Sequence, residues 1–276
     1  MPMLRITVLS ENTAGGSNLL AEHGLALWIE RNQRRFLFDT GQGLVLGWNA
    51  RVLNIDLDTV DAVILSHGHY DHTGGLPQVL SEHRTTPIYA HPAAFGSKFS
   101  VRPNSKTRDI GIPSDAASAV RAHARVISVM GPTDLGEGLY LTGPIPRLND
   151  FEDVGGPFYR DAEGRVPDDL IDDQALYHDG ADGVVVILGC AHSGVVNTLD
   201  YVRKLTGGKP FRAVIGGMHL VSAKPERVDR TIHALRDYDV ATLAPMHCTG
   251  PEATGAIRSA FPSACIALPT GATLAL

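Results

Sequence analysis

The sequence predicts an α/β (α+β) protein arranged as a four-layer αββα sandwich, and three observations carry that prediction. The first is a short apolar run, Ala62 to Leu65, that leads into the polar cluster Ser66-His67-Gly68-His69-Tyr70-Asp71-His72. An apolar run bounded by turn residues reads as a buried strand. The cluster then sits at the strand's C-terminal end, where open α/β sheets place their sites. The second observation is repetition. Val184 to Leu188, Phe211 to Ile215 and Val240 to Ala244 read as strands; each ends in Gly or Pro plus histidine, and each is followed by a helix. The third is that the first half supplies strands of its own, enough for a second sheet.

Taken in order, Leu4 to Leu9 reads as a strand and Glu11 to Asn18 as a polar loop. Gly24 to Glu30 and Arg35 to Phe38 read as strands about a turn at Arg31-Asn32-Gln33, and the second ends in Asp39-Thr40-Gly41. Gly43 to Val52 predicts a short helix, Leu76 to Glu82 another, and Pro87 to Ala90 a strand closed by His91. Residues 93 to 118 carry Lys98, Arg102, Lys106 and Arg108 and read as an irregular basic excursion: a solvated face, or a lid that meets an anionic group. Ala119 to Arg125 reads as helix, and Val126 to Met130 and Gly138 to Thr142 as strands. Residues 143 to 173, rich in Asp, Gly and Pro, read as a second irregular surface excursion, with Arg147 and Glu152 as substrate contacts or, more simply, a local ion pair. Val195 to Leu205, Glu226 to Tyr238 and Pro251 to Phe261 read as the helices of the second half. Pro251 suits a helix start. Cys265 to Leu268 and Thr273 to Leu276 finish the strand pattern.

Length and composition bound the rest. At 276 residues, the chain is read as a single domain, 1–276, with ample core. A net charge of −6 argues against a nucleic-acid partner, which needs a basic face. No apolar run approaches the ~20 residues of a membrane span, and the N-terminal stretch reads as a strand, not a signal peptide. Three cysteines, Cys190, Cys248 and Cys265, make no disulfide framework, so a reducing, cytoplasmic setting is expected. The expected partner is a small-molecule substrate; oligomeric state is left open.

Three imidazoles and a carboxylate within six residues are a poor core and a good metal site, since neutral imidazole and carboxylate are common zinc ligands. His67 and His69 flank Gly68, which lets the backbone turn tightly. Asp71 and His72 are adjacent, and their side chains are expected to diverge. One ion cannot easily take all four; two can, with His67 and His69 on one and Asp71 and His72 on the other. Asp39, at a strand end beside glycine, suits either a turn or a carboxylate that holds the N–H of a ligand histidine.

The motif H-x-H-x-D-H after an apolar strand resembles the signature of the metallo-β-lactamase superfamily, and the resemblance implies the same αββα sandwich. It implies one or two metal ions, zinc foremost with manganese or iron as alternatives, and strengthens the ligand-holding reading of Asp39. His247 becomes the last ligand of the second ion and His192 the third ligand of the first. The sequence departs from the family where a bridging Asp is expected: Cys190 stands there, followed by His192. Cys190 is therefore either a thiolate ligand or a buried inert thiol. Cys248 and Cys265 read as structural. The set HGHYDHTGGL, GPIPRLNDFE, DDQAL, GCAHSGVVNTL, GGMHL and PMHCTG is similar to one branch, that of 7,8-dihydropterin-6-methyl-4-(ribofuranosyl)aminobenzene-phosphate synthase and its relatives.

The resemblance implies a metal-dependent hydrolase acting on a small ester, lactone, phosphodiester or other anionic substrate. A pterin-ribofuranosyl-type synthase and an iron-dependent redox or sulfur-handling protein are the alternatives. Asp71 is the residue expected to orient the attacking water, and His219 or Tyr70 to supply a proton. His23 is a further candidate to line the pocket. His91 reads as a capping residue, and His83, His123, His178 and His233 as surface.

Overall fold

The computed structural model describes residues 3–80 and 85–276. Its Cα trace divides into two compact units: Met1–Ser128 with Phe158–Asp168 and Leu268–Leu276, and Val129–Pro157 with Asp169–Ala267.

The first unit opens with three antiparallel strands, β1 (Leu4–Ser10), β2 (Ala26–Arg31) and β3 (Arg34–Phe38). Helix α1 (Leu46–Val52) follows, then strand β4 (Ala62–Ile64), a four-residue helix α2 (Tyr70–Thr73) and strand β5 (Thr86–Ala90). Two short strands, β6 (Phe99–Ser100) and β7 (Arg108–Asp109), precede helix α3 (Ser114–His123) and strand β8 (Ala124–Ser128). The second unit contributes β9 (Thr133–Gly136) and β10 (Leu139–Leu141). The chain then places β11 (Phe158–Tyr159) in the first unit, beside β6. The second unit continues with β12 (Leu176–Gly180), β13 (Gly183–Leu188), α4 (Val195–Leu205), β14 (Phe211–Gly217), α5 (Pro225–Asp237), β15 (Leu243–Met246) and α6 (Pro251–Ala260). Strand β16 (Thr273–Ala275) closes on β1.

The sheet of the first unit runs β16-β1-β2-β3-β4-β5-β8. Its first half is antiparallel; β3, β4, β5 and β8 are parallel. The register pairs Phe38 with Ile64, so Asp39 and the histidine loop leave the sheet at the same edge. One face is covered by α1 and α3 over a core that includes Trp28, Leu37, Leu46, Val63 and Val120. The sheet of the second unit runs β15-β14-β13-β12-β10-β9. Here β13, β14 and β15 are parallel, with Leu188 opposite Gly216 and Gly217 opposite Met246. Val184, Val186 and Leu188 point to the same core as Leu199, Leu235 and Ile257 of the three helices. Val185 and Ile187, on the other face, are equally buried. That explains the unbroken apolar run of β13, since a strand buried on both faces loses its alternation.

Several expectations are corrected. The helix expected over Leu76 to Glu82 is a single tight turn, Leu76–Gln78, and residues 81–84, His83 among them, lie outside the described residues. Pro77 at that turn and the two preceding glycines favour a turn over a sustained helix. Residues 93–118 are not wholly irregular, because α3 begins at Ser114, five residues earlier than the apolar periodicity alone suggests. Cys265 to Leu268 is no strand; a single bridge joins Leu243 and Cys265. Residues 143–173 are not simply a surface excursion, since Glu152, Asp168, Leu170, Asp172 and Asp173 are all buried. Strand β12 was not foreseen, and His178 within it is buried rather than surface.

Close backbone approach makes two glycines a direct test of this architecture. A Cβ on Gly68 would lie 2.0 Å from the Ala94 carbonyl oxygen, whereas one on Gly255 in α6 would meet nothing within 4 Å. Gly68→Ala should cost about 1–3 kcal/mol, as an overpacked substitution does. Gly255→Ala should gain roughly 0.5–1 kcal/mol from helix propensity. Urea unfolding curves of the two variants against wild type check both signs.

Candidate metal centre

In the first unit the site grows from Asp39. It ends β3 in the left-handed region, at φ 57°, and its side chain is fully buried. The Ser66 backbone N–H donates to Oδ1 at 2.7 Å, and the Ser66 hydroxyl donates to Oδ2 at 2.6 Å. His72 Nδ1 lies 2.7 Å from the same Oδ2. A carboxylate can only accept, so His72 carries its proton on Nδ1 and its lone pair on Nε2. Ser66 Oγ has given its own hydrogen to Asp39, so it accepts from His67 Nδ1 at 2.9 Å. His67 therefore also presents Nε2 as its donor atom. One buried carboxylate thus fixes the tautomers of two imidazoles, one directly and one through a hydroxyl.

The other members follow from the loop. His69 precedes α2, and its carbonyl accepts from the Thr73 hydroxyl at 2.9 Å. His67 Nε2 and His69 Nδ1 are 3.0 Å apart. Two nitrogens held about 2.1 Å from one zinc ion, at angles from square to tetrahedral, are about 3.0–3.4 Å apart. The first-unit donors therefore suit a metal ion. Asp71 Oδ2 lies 3.9 Å from His72 Nε2 and 3.1 Å from His23 Nε2. The tips of the adjacent Asp71 and His72 side chains therefore lie near each other, against the expected divergence. Tyr70 places its hydroxyl 3.4 Å from Arg108 Nη2. Burial and the neighbouring Asp71 raise its phenol above the ordinary value. His91 caps the turn that follows it, its Nδ1 accepting from the Ala93 N–H at 3.2 Å.

In the second unit the three parallel strands end side by side, and a residue after each adopts the left-handed region: Ala191 (φ 53°), His219 (φ 46°) and His247 (φ 48°). The donor atoms of Cys190, His192 and His219 lie within 4.8 Å of one another, as do those of Cys190, His247 and Cys248. The His192 Nδ1–H donates to the Val154 carbonyl at 2.8 Å, which leaves Nε2 as its donor atom. The His192 and His219 rings are 4.2 Å apart. Asp173, fully buried, accepts from the Ser193 N–H at 2.7 Å. Burial pushes its carboxyl up to about 6, against the pull of the Ser193 and His192 hydrogen bonds. Burial alone would raise the Cys248 thiol. Hydrogen bonds with Cys190 and His219 and the charge of both histidines take it well below the ordinary range instead.

Two further expectations are corrected. Arg147 and Glu152 form no ion pair: the Arg147 guanidinium donates to the Asp169 carbonyl at 2.8 Å. Glu152 accepts from the Val196 and Asn197 N–H groups, each at 2.9 Å, and so caps the start of α4 just beyond His192. Lys98 is no solvated charge, being 2% exposed and 3.0 Å from Asp168. Cys248 sits among the donors although it reads as structural in the sequence; its place next to His247 in PMHCTG was the available signal.

Residues 20–204 match the family model of the metallo-beta-lactamase superfamily. An uncharacterized protein of Methanocaldococcus jannaschii is 32% identical over 250 residues, 90% of this chain and 91% of that protein. The 7,8-dihydropterin-6-methyl-4-(beta-D-ribofuranosyl)-aminobenzene-5'-phosphate synthase of the same organism is 31% identical over 269 residues, 94% of this chain and 92% of that enzyme. Among solved structures, Tm1679, a metal-dependent hydrolase of the β-lactamase superfamily, aligns with a TM-score of 0.84 at 28% identity over 98% of both chains.

Asp39→Asn tests the relay. The amide would offer an N–H to His72 or lose its hold on Ser66, so the proton of His72 would move to the donor nitrogen. Zinc affinity should fall about 10- to 100-fold, the usual effect of losing a carboxylate behind a ligand histidine. Competition with a chromophoric chelator measures it, and unchanged affinity would remove Asp39 from the site.

Proposed function

The chain belongs to the metallo-beta-lactamase superfamily, and from that premise we propose that it is a metal-dependent hydrolase of a small ester, lactone, phosphodiester or other anionic substrate. The observation that carries the reading is the 3.0 Å approach of His67 Nε2 and His69 Nδ1, with the His67 and His72 tautomers set by Asp39. Buried imidazoles whose tautomers are set by a carboxylate behind them suit metal binding.

In this proposal His67, His69, Asp71, His72, His192 and His247 are the metal ligands, with Cys190 as a further candidate. Two divalent ions, zinc foremost, would be held; manganese or iron would suit the same donors. Bound there, such ions lower the pKa of a coordinated water towards about 7 and polarise the attacked oxygen. Asp71, with His23 Nε2 at 3.1 Å from its carboxylate, is proposed to orient the attacking water as well as to bind metal. Tyr70, a phenol protonated at neutral pH in any case and raised further by burial, is proposed as the alternative proton donor. His219 is proposed as a proton donor to the leaving group.

The synthase of M. jannaschii supports a second reading, a pterin-ribofuranosyl-type synthase that activates a phosphate-bearing sugar, because its 31% identity spans nearly both chains. Water attacks in the first reading and an organic nucleophile in the second.

Elemental analysis of protein expressed with zinc, manganese and iron comes first, followed by a screen of esters, lactones and phosphodiesters with and without the pterin and sugar-phosphate pair. About two equivalents of zinc or manganese, with turnover of a hydrolysable substrate that chelation abolishes, is the expected result. Condensation without hydrolysis would favour the second reading. Iron with oxygen consumption would replace both with redox chemistry, and a chain that retains no metal would overturn the site.

A further inference from the structure

The second unit holds a sulfur-rich donor set that the proposed ligand list leaves incomplete. Cys190 follows β13, and His247 and Cys248 follow β15. Strand β14 runs between the two, parallel to each. The donor atoms of these three residues lie within 4.8 Å of one another, and all three residues are buried. Cys248 Sγ is 3.7 Å from the Cys190 carbonyl oxygen.

The central strand has made room for this arrangement. A Cβ on Gly217, at the end of β14, would lie 2.6 Å from Cys248 Sγ and 2.4 Å from the Gly189 carbonyl. Any larger residue at 217 would collide with the Cys248 thiol. The left-handed turn at His247 brings both His247 and Cys248 into one short turn, His247–Thr249. The third cysteine, Cys265, lies near the β15 edge, bridged to Leu243, and belongs to neither donor group.

We propose that Cys190, His247 and Cys248 together bind one soft or borderline divalent ion, with both sulfurs as thiolate ligands. The proposal shares Cys190 and His247 with the functional reading above and adds Cys248. Zinc takes cysteine sulfur at about 2.3 Å and histidine nitrogen at about 2.0–2.1 Å, in sites of three protein ligands plus one open position as well as in closed ones. Thiolates shift selectivity from the hard ions towards zinc, iron and copper(I). On binding, each thiol releases its proton to solvent as the metal–sulfur bond forms, so no oxidant or reductant is involved.

Cobalt(II) substitution of the full-length protein reads this without any substrate. Wild type loaded with cobalt should show a sulfur-to-metal charge-transfer band in the near ultraviolet. Cys190→Ser and Cys248→Ser should each remove about half of it, the double variant all of it, and Cys265→Ser none. Gly217→Ala should weaken it. X-ray absorption at the zinc edge of wild type, which requires no variant to fold, should show sulfur at about 2.3 Å, two scatterers per chain, which average to about one per zinc when two ions are bound. One sulfur scatterer per chain after scaling by the zinc content, or a full band in Cys248→Ser, overturns the assignment of Cys248. Bound metal with no sulfur signal overturns the whole proposal and leaves the histidine and aspartate ligands of the functional reading standing. A chain that binds no metal fails both.

Discussion

The buried carboxylate of Asp39 is the constraint on which the first half of the site depends. A fully buried charge without partners would cost several kcal/mol, and this one is satisfied by three donors: the Ser66 N–H, the Ser66 hydroxyl and His72 Nδ1. Satisfying it leaves the imidazoles little choice. His72 must point one nitrogen at Asp39, and His67 must point one at Ser66. Their other nitrogens are then turned away from the carboxylate, whatever binds there. The pairing that makes this possible is ordinary sheet geometry, because β3 and β4 are parallel and Phe38 lies opposite Ile64. The residues just past each strand end therefore meet.

The second unit solves the same problem with backbone conformation. Three parallel strands deliver their ends to one edge, and each chain must then turn sharply into a helix. Ala191, His219 and His247 do so in the left-handed region, as Asp39 does in the first unit. For residues other than glycine that conformation costs about 1–2 kcal/mol each. It persists where the surroundings over-determine it. Here those surroundings include Glu152 on the first N–H groups of α4 and Asp173 on the Ser193 N–H. Strain and capping are coupled: the acids that hold the loop also fix where Cys190 and His192 lie.

The legible part of this protein is the part governed by local rules. Strand β13 and helix α4 were readable because a continuous apolar run and a helical period are each specified by neighbouring residues. The histidine cluster was readable because its residue types have no alternative use. Long-range partners were not readable. Nothing near Lys98 in the sequence announces Asp168, seventy positions on. Glu152 reads as the mate of nearby Arg147, yet it caps a helix more than forty positions away. Cys248 belongs to this class too, since its company comes from the ends of two other strands. Helix α2 was missed for a different reason: four residues are too few to show a period.

The two units differ in the chemistry they offer. The first presents imidazole and carboxylate; the second presents imidazole and thiol. Relatives that share the fold are named both as a hydrolase and as a synthase, so the fold alone does not select the reaction. In this chain Asp39 sets the tautomers of His67 and His72 under either reading. Of the four basic residues between 93 and 118, Lys98 is neutralised by Asp168 and is lost to any anionic ligand. Arg102 and Lys106 are exposed. Arg108 alone among the four is tied to the histidine motif, through its contact with the Tyr70 hydroxyl. A positive charge held beside a protonated phenol favours an anionic oxygen over a neutral one. Arg108 is itself exposed, and in the functional reading proposed above its charge beside the Tyr70 hydroxyl would favour an anionic substrate oxygen.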